Sequence, residues 1–139
     1  MKKLTLLVAE DDKFSRLLYQ KGLSEDLFEV RYAENGEEAF DIYQEWRPDV
    51  VLLDIYMPVM TGFEVLKKIR EVEPMPKKGE QPKGGKQTVI IMATALGKKE
   101  DIVDCIKIGI HGYIVKPIKF QEIGNRVMDC YRKVYPAAE

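Results

Sequence analysis

Six side chains in this sequence could cooperate in phosphoryl chemistry, and each stands where an apolar run ends. Leu4–Ala9 runs into Glu10, Asp11 and Asp12. Val50–Leu53 runs into Asp54, Val89–Ala93 into Thr94, and Tyr113–Val115 into Lys116. Carboxylates that converge on one spot repel one another unless a cation sits among them. Magnesium takes oxygen ligands, usually one or two carboxylates with waters and phosphate oxygens. A carboxylate such as Asp54 can attack phosphorus and carry the phosphoryl group as an acyl phosphate. A lysine ammonium and a threonine hydroxyl suit the phosphoryl oxygens electrostatically.

These residues meet only if the runs are neighbouring strands. A short apolar run bounded by turn or charge signals reads as a strand buried on both faces. The expected strands are Leu4–Ala9, Phe28–Tyr32, Val50–Leu53, Val89–Ala93 and Gly112–Val115. Between them lie helical patterns over Lys13–Ser24, Gly36–Trp46, Gly62–Val72, Lys98–Ile108 and Lys119–Val134. Phe120, Ile123, Val127, Cys130 or Tyr131, and Val134 fall on one face of the last helix. Ile102, Cys105, Ile106 and Gly109 do so on the fourth, and both stripes read as core. Asp12 and Asn35 are suited to cap the first two helices.

Five strand–helix units predict an α/β doubly wound, flavodoxin-like (βα)5 fold: a five-stranded parallel sheet with helices on both faces. Composition does not state the strand order. Of the common orders, 2-1-3-4-5 sets the first strand beside the third, so Glu10 and Asp11 meet Asp54. A dinucleotide-binding order would need a glycine-rich turn after the first strand. The turn here is Glu10-Asp11-Asp12-Lys13, which repels a phosphate.

The whole chain sets further bounds. Its 139 residues suit one domain. The formal net charge of −1 gives no reason to expect direct nucleic-acid binding. No apolar stretch approaches the 18 or so residues of a membrane span. The start Met1-Lys2-Lys3 is followed by a run too short for a signal peptide, which makes the cytoplasm the default location. Cys105 and Cys130 read as small core residues, and His111, between Gly109 and Gly112, as a turn residue. The segment EPMPKKGEQPKGGKQ (73–87) is long for a helix-to-strand connection. Its lysines Lys77, Lys78, Lys83 and Lys86 face only Glu80 as a local counter-charge. It reads as a solvated insertion, or alternatively as a docking loop for an acidic partner.

Asp54-Ile55-Tyr56-Met57-Pro58 followed by Thr61-Gly62, together with Glu10-Asp11, Thr94-Ala95 and Lys116-Pro117, resembles the receiver domain of two-component response regulators. The resemblance spans nearly the whole chain, in order. It implies a phosphoacceptor at Asp54, and Mg²⁺ (with Mn²⁺ as a substitute) on Asp11, Asp54 and the Tyr56 backbone carbonyl. Glu10 would act mostly through a bound water. Thr94 and Lys116 would hold the phosphoryl oxygens, Lys116–Pro117 would be cis, and Tyr113 would be the switch aromatic. The implied partners are a sensor histidine kinase or phosphotransfer protein, and an output protein on the face of helix 4, strand 5 and helix 5. The implied activity is that of a switch which catalyses at most its own phosphorylation and slow dephosphorylation.

Two bulky residues, Tyr56 and Leu96, depart from the commonest family pattern and would hinder an attacking water. Gly22 lies inside a helix with no evident reason. Rival readings remain. A phosphatase of the haloacid dehalogenase class needs a second acid two residues after its nucleophile, where this chain has Tyr56. An FMN binder would meet the acidic turn. An interaction module that no longer takes phosphate would lack one of the acids, Thr94 or Lys116, and none is missing.

Overall fold

A computed structural model describes residues 2–82, 85–95 and 97–136. Strands β1 (Leu4–Ala9), β2 (Phe28–Ala33), β3 (Val50–Asp54), β4 (Val89–Ala95) and β5 (Gly112–Lys116) alternate with five helices. These are α1 (Lys13–Gly22), α2 (Gly36–Trp46), α3 (Gly62–Val72), α4 (Lys99–Ile108) and α5 (Phe120–Val134). The strands form one parallel sheet in the order β2-β1-β3-β4-β5, as the acidic turn after β1 implied.

The alternation of side chains along each strand separates two cores. Leu7, Ala9, Val51, Leu53, Ile90 and Met92 face α2, α3 and α4. Leu6, Val8, Val50, Leu52, Val89 and Ile91 face α1 and α5. Because the central strands are covered on both sides, they are apolar throughout, and their polar residues are confined to the ends.

The strands run further than their apolar residues. β3 ends at Asp54, β4 at Ala95 and β5 at Lys116, and the pairs Asp54 with Ala93 and Ala95 with Lys116 extend the ladder. Asp54, Thr94 and Lys116 are therefore strand residues held in the ladder, whereas Glu10 and Asp11 follow the last residue of β1. Asp12 and Asn35 cap α1 and α2 as expected, accepting from the Ser15 and Glu38 amides at 2.8 Å each. The Ser15 amide and hydroxyl bonds hold the Asp12 carboxyl below its ordinary range.

Two expectations need correction. Ile106 is 55% exposed and is not core; α4 turns Ile102 and Cys105 to the sheet and leaves Ile106 and Val103 beside β5. Lys86 is not limited to Glu80, since it pairs with Asp49 at 2.9 Å. Cys105 and Cys130 are buried free thiols, as expected. The long connection is anchored at both ends, with Glu73, Gln87 and Thr88 buried. Lys77 and Lys78 are exposed, and Lys83 lies outside the described residues.

The first helix stops short of the expected Ser24, so Gly22 is its last residue and not an interior one, and it gains a reason. A Cβ there would overlap the Phe120 carbonyl oxygen, so α1 and α5 meet backbone to backbone. Gly124 faces Gly22 from the other side, its added Cβ 3.5 Å from the Gly22 carbonyl oxygen. Gly22→Ala should gain about 1 kcal/mol of helix propensity but lose more to overpacking, for a net loss of about 1–2 kcal/mol in urea unfolding. A stabilised variant would contradict this packing.

His111 is more than a turn residue. Its Nδ1 accepts the Ile90 amide at 2.9 Å, while its own amide bonds to the Ile90 carbonyl. Burial, with the nearby Arg70 guanidinium, pushes the imidazole down to about 4. Arg70 itself reaches the Gly109 and Glu73 carbonyls. The folded state thus binds the His111 proton more weakly than the unfolded chain, whose value is near 6.5. The stabilisation is complete above the unfolded value and is lost as pH falls from about 6.5 through about 4. His111→Asn keeps an acceptor without the titration. It should remove on the order of 1–3 kcal/mol of acid destabilisation between those pH values, measured by urea unfolding against pH.

Candidate functional site

The register of the sheet assembles the site. Ala9 lies opposite Leu53, so Glu10 follows β1 beside Asp54. One carboxylate oxygen from each of Glu10, Asp11 and Asp54 lies within 4.8 Å of the others. Glu10 and Asp54 are buried, and Asp11 is exposed. Lys116 reaches across from the end of β5. Its Nζ donates to Glu10 Oε1 at 2.6 Å and to Asp54 Oδ2 at 3.0 Å.

This ammonium is the counter-charge to the acids. Burial works against its charged form, but the bond to Glu10 and the field of Asp54 prevail and hold its pKa above the usual lysine value. For Glu10 burial dominates. It raises the carboxyl above its ordinary range, with Asp54 adding to the rise and the Lys116 bond opposing it.

Thr94 sits near the end of β4, opposite Val115 and one residue past the partner of Asp54. Its hydroxyl is buried and has no hydrogen-bond partner among the described residues. A buried hydroxyl without a partner costs about 1–3 kcal/mol, so its place beside the acid cluster calls for a functional explanation. Tyr113 is 44% exposed, on the outer side of β5. The Lys116–Pro117 peptide is cis, as the resemblance implied.

The loop from Ile55 to Thr61, between β3 and α3, is shaped by backbone contacts. Met60 N donates to Pro58 O at 2.7 Å, a γ-turn centred on Val59 at φ 69°. A β-branched residue in this region costs about 1–2 kcal/mol. The loop is held at both ends. A Cβ on Gly36 would overlap the Met60 carbonyl, and one on Gly62 would overlap the Asp54 carbonyl. Only glycines let the N-termini of α2 and α3 approach the loop this closely. Thr61 caps α3 by accepting the Glu64 amide at 3.1 Å.

Of the residues expected at the site, Glu10, Asp11, Asp54, Tyr56, Thr94 and Lys116 lie at this end of the sheet; Tyr113 lies earlier on β5, opposite Met92, and Leu96 is outside the described residues. Glu10, Asp11, Asp54 and Lys116 converge, with Thr94 on the neighbouring strand end. The Tyr56 side chain is 53% exposed and its hydroxyl donates to Asp101 Oδ2 at 2.6 Å. Three contributors were missed. Arg16 fixes the acidic turn by donating to the Glu10 and Asp11 carbonyls at 2.9 Å each, and it also pairs with Glu34. The Thr61 cap was visible as Thr-x-x-Glu over 61–64. Asp101 carried no signal, because its partner is 45 residues away.

Asp11, Asp54 and Glu10 offer the hard oxygen donors that magnesium takes, beside a lysine and an orphan hydroxyl suited to phosphoryl oxygens.

Comparison with known proteins agrees with this geometry. The family model "Response regulator receiver domain" matches residues 6–128. The chemotaxis protein CheY of Listeria monocytogenes is 37% identical over 131 residues, covering 94% of this chain and 97% of its own. CheY of Halobacterium salinarum is 35% identical over 129 residues, covering 93% and 97%. The solved structure of Vibrio cholerae chemotaxis protein CheY4 superposes with a TM-score of 0.77 at 28% identity, over 93% of this chain and 99% of that one. Matched over residues 6–128 and more than 30% identical to relatives along nearly its whole length, this chain belongs to the receiver-domain family of two-component response regulators.

Proposed function

We propose that the protein is a phosphoacceptor switch in which Asp54 takes a phosphoryl group in a magnesium-dependent reaction. The observation that carries this reading is the buried, unpartnered Thr94 hydroxyl beside the acid cluster that Lys116 bridges. A phosphoryl oxygen on Asp54 would satisfy this hydroxyl.

The residues fit a magnesium ion. Glu10, Asp11 and Asp54 would hold it, with the Tyr56 backbone carbonyl as a further ligand and Glu10 acting chiefly through water. A bound ion supplies charge neutralisation between the carboxylates and the incoming phosphoryl oxygens. Lys116 holds Asp54 Oδ2 and so fixes the orientation of the carboxylate. An Asp54 oxygen attacks the phosphorus of the donor. The bond from phosphorus to the donor's leaving atom breaks, and the leaving group departs with the electron pair and takes a proton from solvent. Lys116 then turns from Asp54 toward the new phosphoryl oxygens, and Thr94 donates to one of them.

The new charge biases two states. As the Thr94 hydroxyl moves to the phosphoryl group, it vacates space that favours an inward Tyr113. Tyr113 is exposed beside Val103, Ile106 and Val115, in a cleft between α4 and β5. The face of α4, β5 and α5 would thus change its affinity for an output protein. A sensor histidine kinase or phosphotransfer protein would supply the phosphoryl group. The formal net charge of −1 favours a protein partner over direct nucleic-acid contact. No described helix is long and apolar enough to cross a membrane, and a cytoplasmic site of action fits this role. The protein would act as a switch and not as a turnover enzyme, since Tyr56 stands where a phosphatase of this chemistry places its second acid.

Incubation with a small phosphodonor such as acetyl phosphate and Mg²⁺, followed by intact mass measurement, should show a gain of one phosphoryl group. Asp54→Asn or a chelator should abolish it. Rapid release of free phosphate would instead indicate a phosphatase, and no mass gain would indicate an interaction module.

A further inference from the structure

Tyr56 and Asp101 belong to different elements, and neither has another side-chain hydrogen bond among the described residues. Tyr56 lies in the loop after β3, two residues past Asp54. Asp101 lies in the first turn of α4. Their 2.6 Å hydrogen bond spans 45 residues of chain and joins the loop after β3 to the helix after β4. The bond is short and charge-assisted, the strong class of hydrogen bond. It also holds the phenol proton, raising the Tyr56 pKa above its ordinary value. The pair walls a cleft shared with Gly97, Lys98, Lys99 and Glu100.

We propose that Asp101 is a positioning residue: by gripping the Tyr56 hydroxyl it straps the acceptor loop to α4 and holds the tyrosine ring over the edge of the site. The proposal rests on Asp54 being the phosphoacceptor. Its consequence concerns loss of the phosphoryl group. In that step a water oxygen attacks phosphorus, the phosphorus–Asp54 oxygen bond breaks, the carboxylate leaves with the electron pair, and the water protons pass to solvent. A ring held at the edge obstructs the line of that water, whereas a released ring swings into solvent, where its exposure leaves it free to move. The strap also links the site mechanically to the first turn of α4.

The lifetime of the phosphorylated protein separates the strap from a merely structural role. After labelling with acetyl phosphate and removal of the donor, Asp101→Ala should lose phosphate about three- to tenfold faster, the range set by one charge-assisted hydrogen bond. Asp101→Asn retains an acceptor and should restore most of the lifetime. Tyr56→Phe keeps the ring but drops the hydroxyl and should match Asp101→Ala, and the double variant should add nothing to either. Lifetimes within twofold of wild type, or effects that multiply in the double variant, would overturn the proposal. Amide exchange gives a reading that needs no phosphate. Tyr56→Phe should speed exchange across Lys99–Val103, in an element it does not belong to. If the wild type takes up no phosphoryl group, the acceptor reading fails and exchange alone judges the strap: faster exchange supports it and unchanged exchange overturns it.

Discussion

The site depends on keeping acids together at the edge of an apolar sheet. Two like charges 4 Å apart repel by about 4 kcal/mol at an effective dielectric constant near 20. Glu10 and Asp54 are buried, so water cannot screen them fully. The Lys116 ammonium bonded to both is the compensation that the protein supplies itself. One positive charge against three carboxylates leaves the cluster negative. That residual charge is the physical reason to expect a divalent cation, and it opposes the approach of any further anion.

The rest of the fold serves this arrangement. Strands covered on both faces have no place for charge except at their ends, so the sheet concentrates its polar residues at one edge. Parallel pairing brings those ends level, with Asp54 beside Ala93 and Lys116 beside Ala95. Gly36 lets the N-terminus of α2 press on Met60 beside the strained turn at Val59, and Gly62 lets that of α3 press on the end of β3 at Asp54, which together fix the loop between them. Substrate-facing groups held by backbone contacts on rigid elements are more precisely placed than groups on free loops.

Much of this was legible in the sequence because it rests on local patterns. Apolar runs mark doubly covered strands, and the charges that end them mark the site. The order of the motifs identified the family. What was hidden depends on contacts between distant segments. Gly22 looked like a defect in a helix until Phe120 was seen to press against it. His111 looked like a turn residue until its ring was found accepting the Ile90 amide. Ile106 fits a core stripe by spacing, but the stripe is narrower than the pattern and the sheet claims only Ile102 and Cys105. Asp101 is one acid among many on an exposed helix turn, and only the fold brings it to Tyr56.

The claim that Lys116 and a divalent cation share the neutralisation of one acid cluster is tested most directly by Mg²⁺ titration calorimetry. The wild type should bind one ion, and Asp11→Asn should weaken that binding at least tenfold. Lys116→Met should bind magnesium several-fold more tightly, because removing the ammonium leaves the same carboxylates with one less competing positive charge. No binding by the wild type, or an affinity unchanged or weakened by loss of Lys116, would contradict the account.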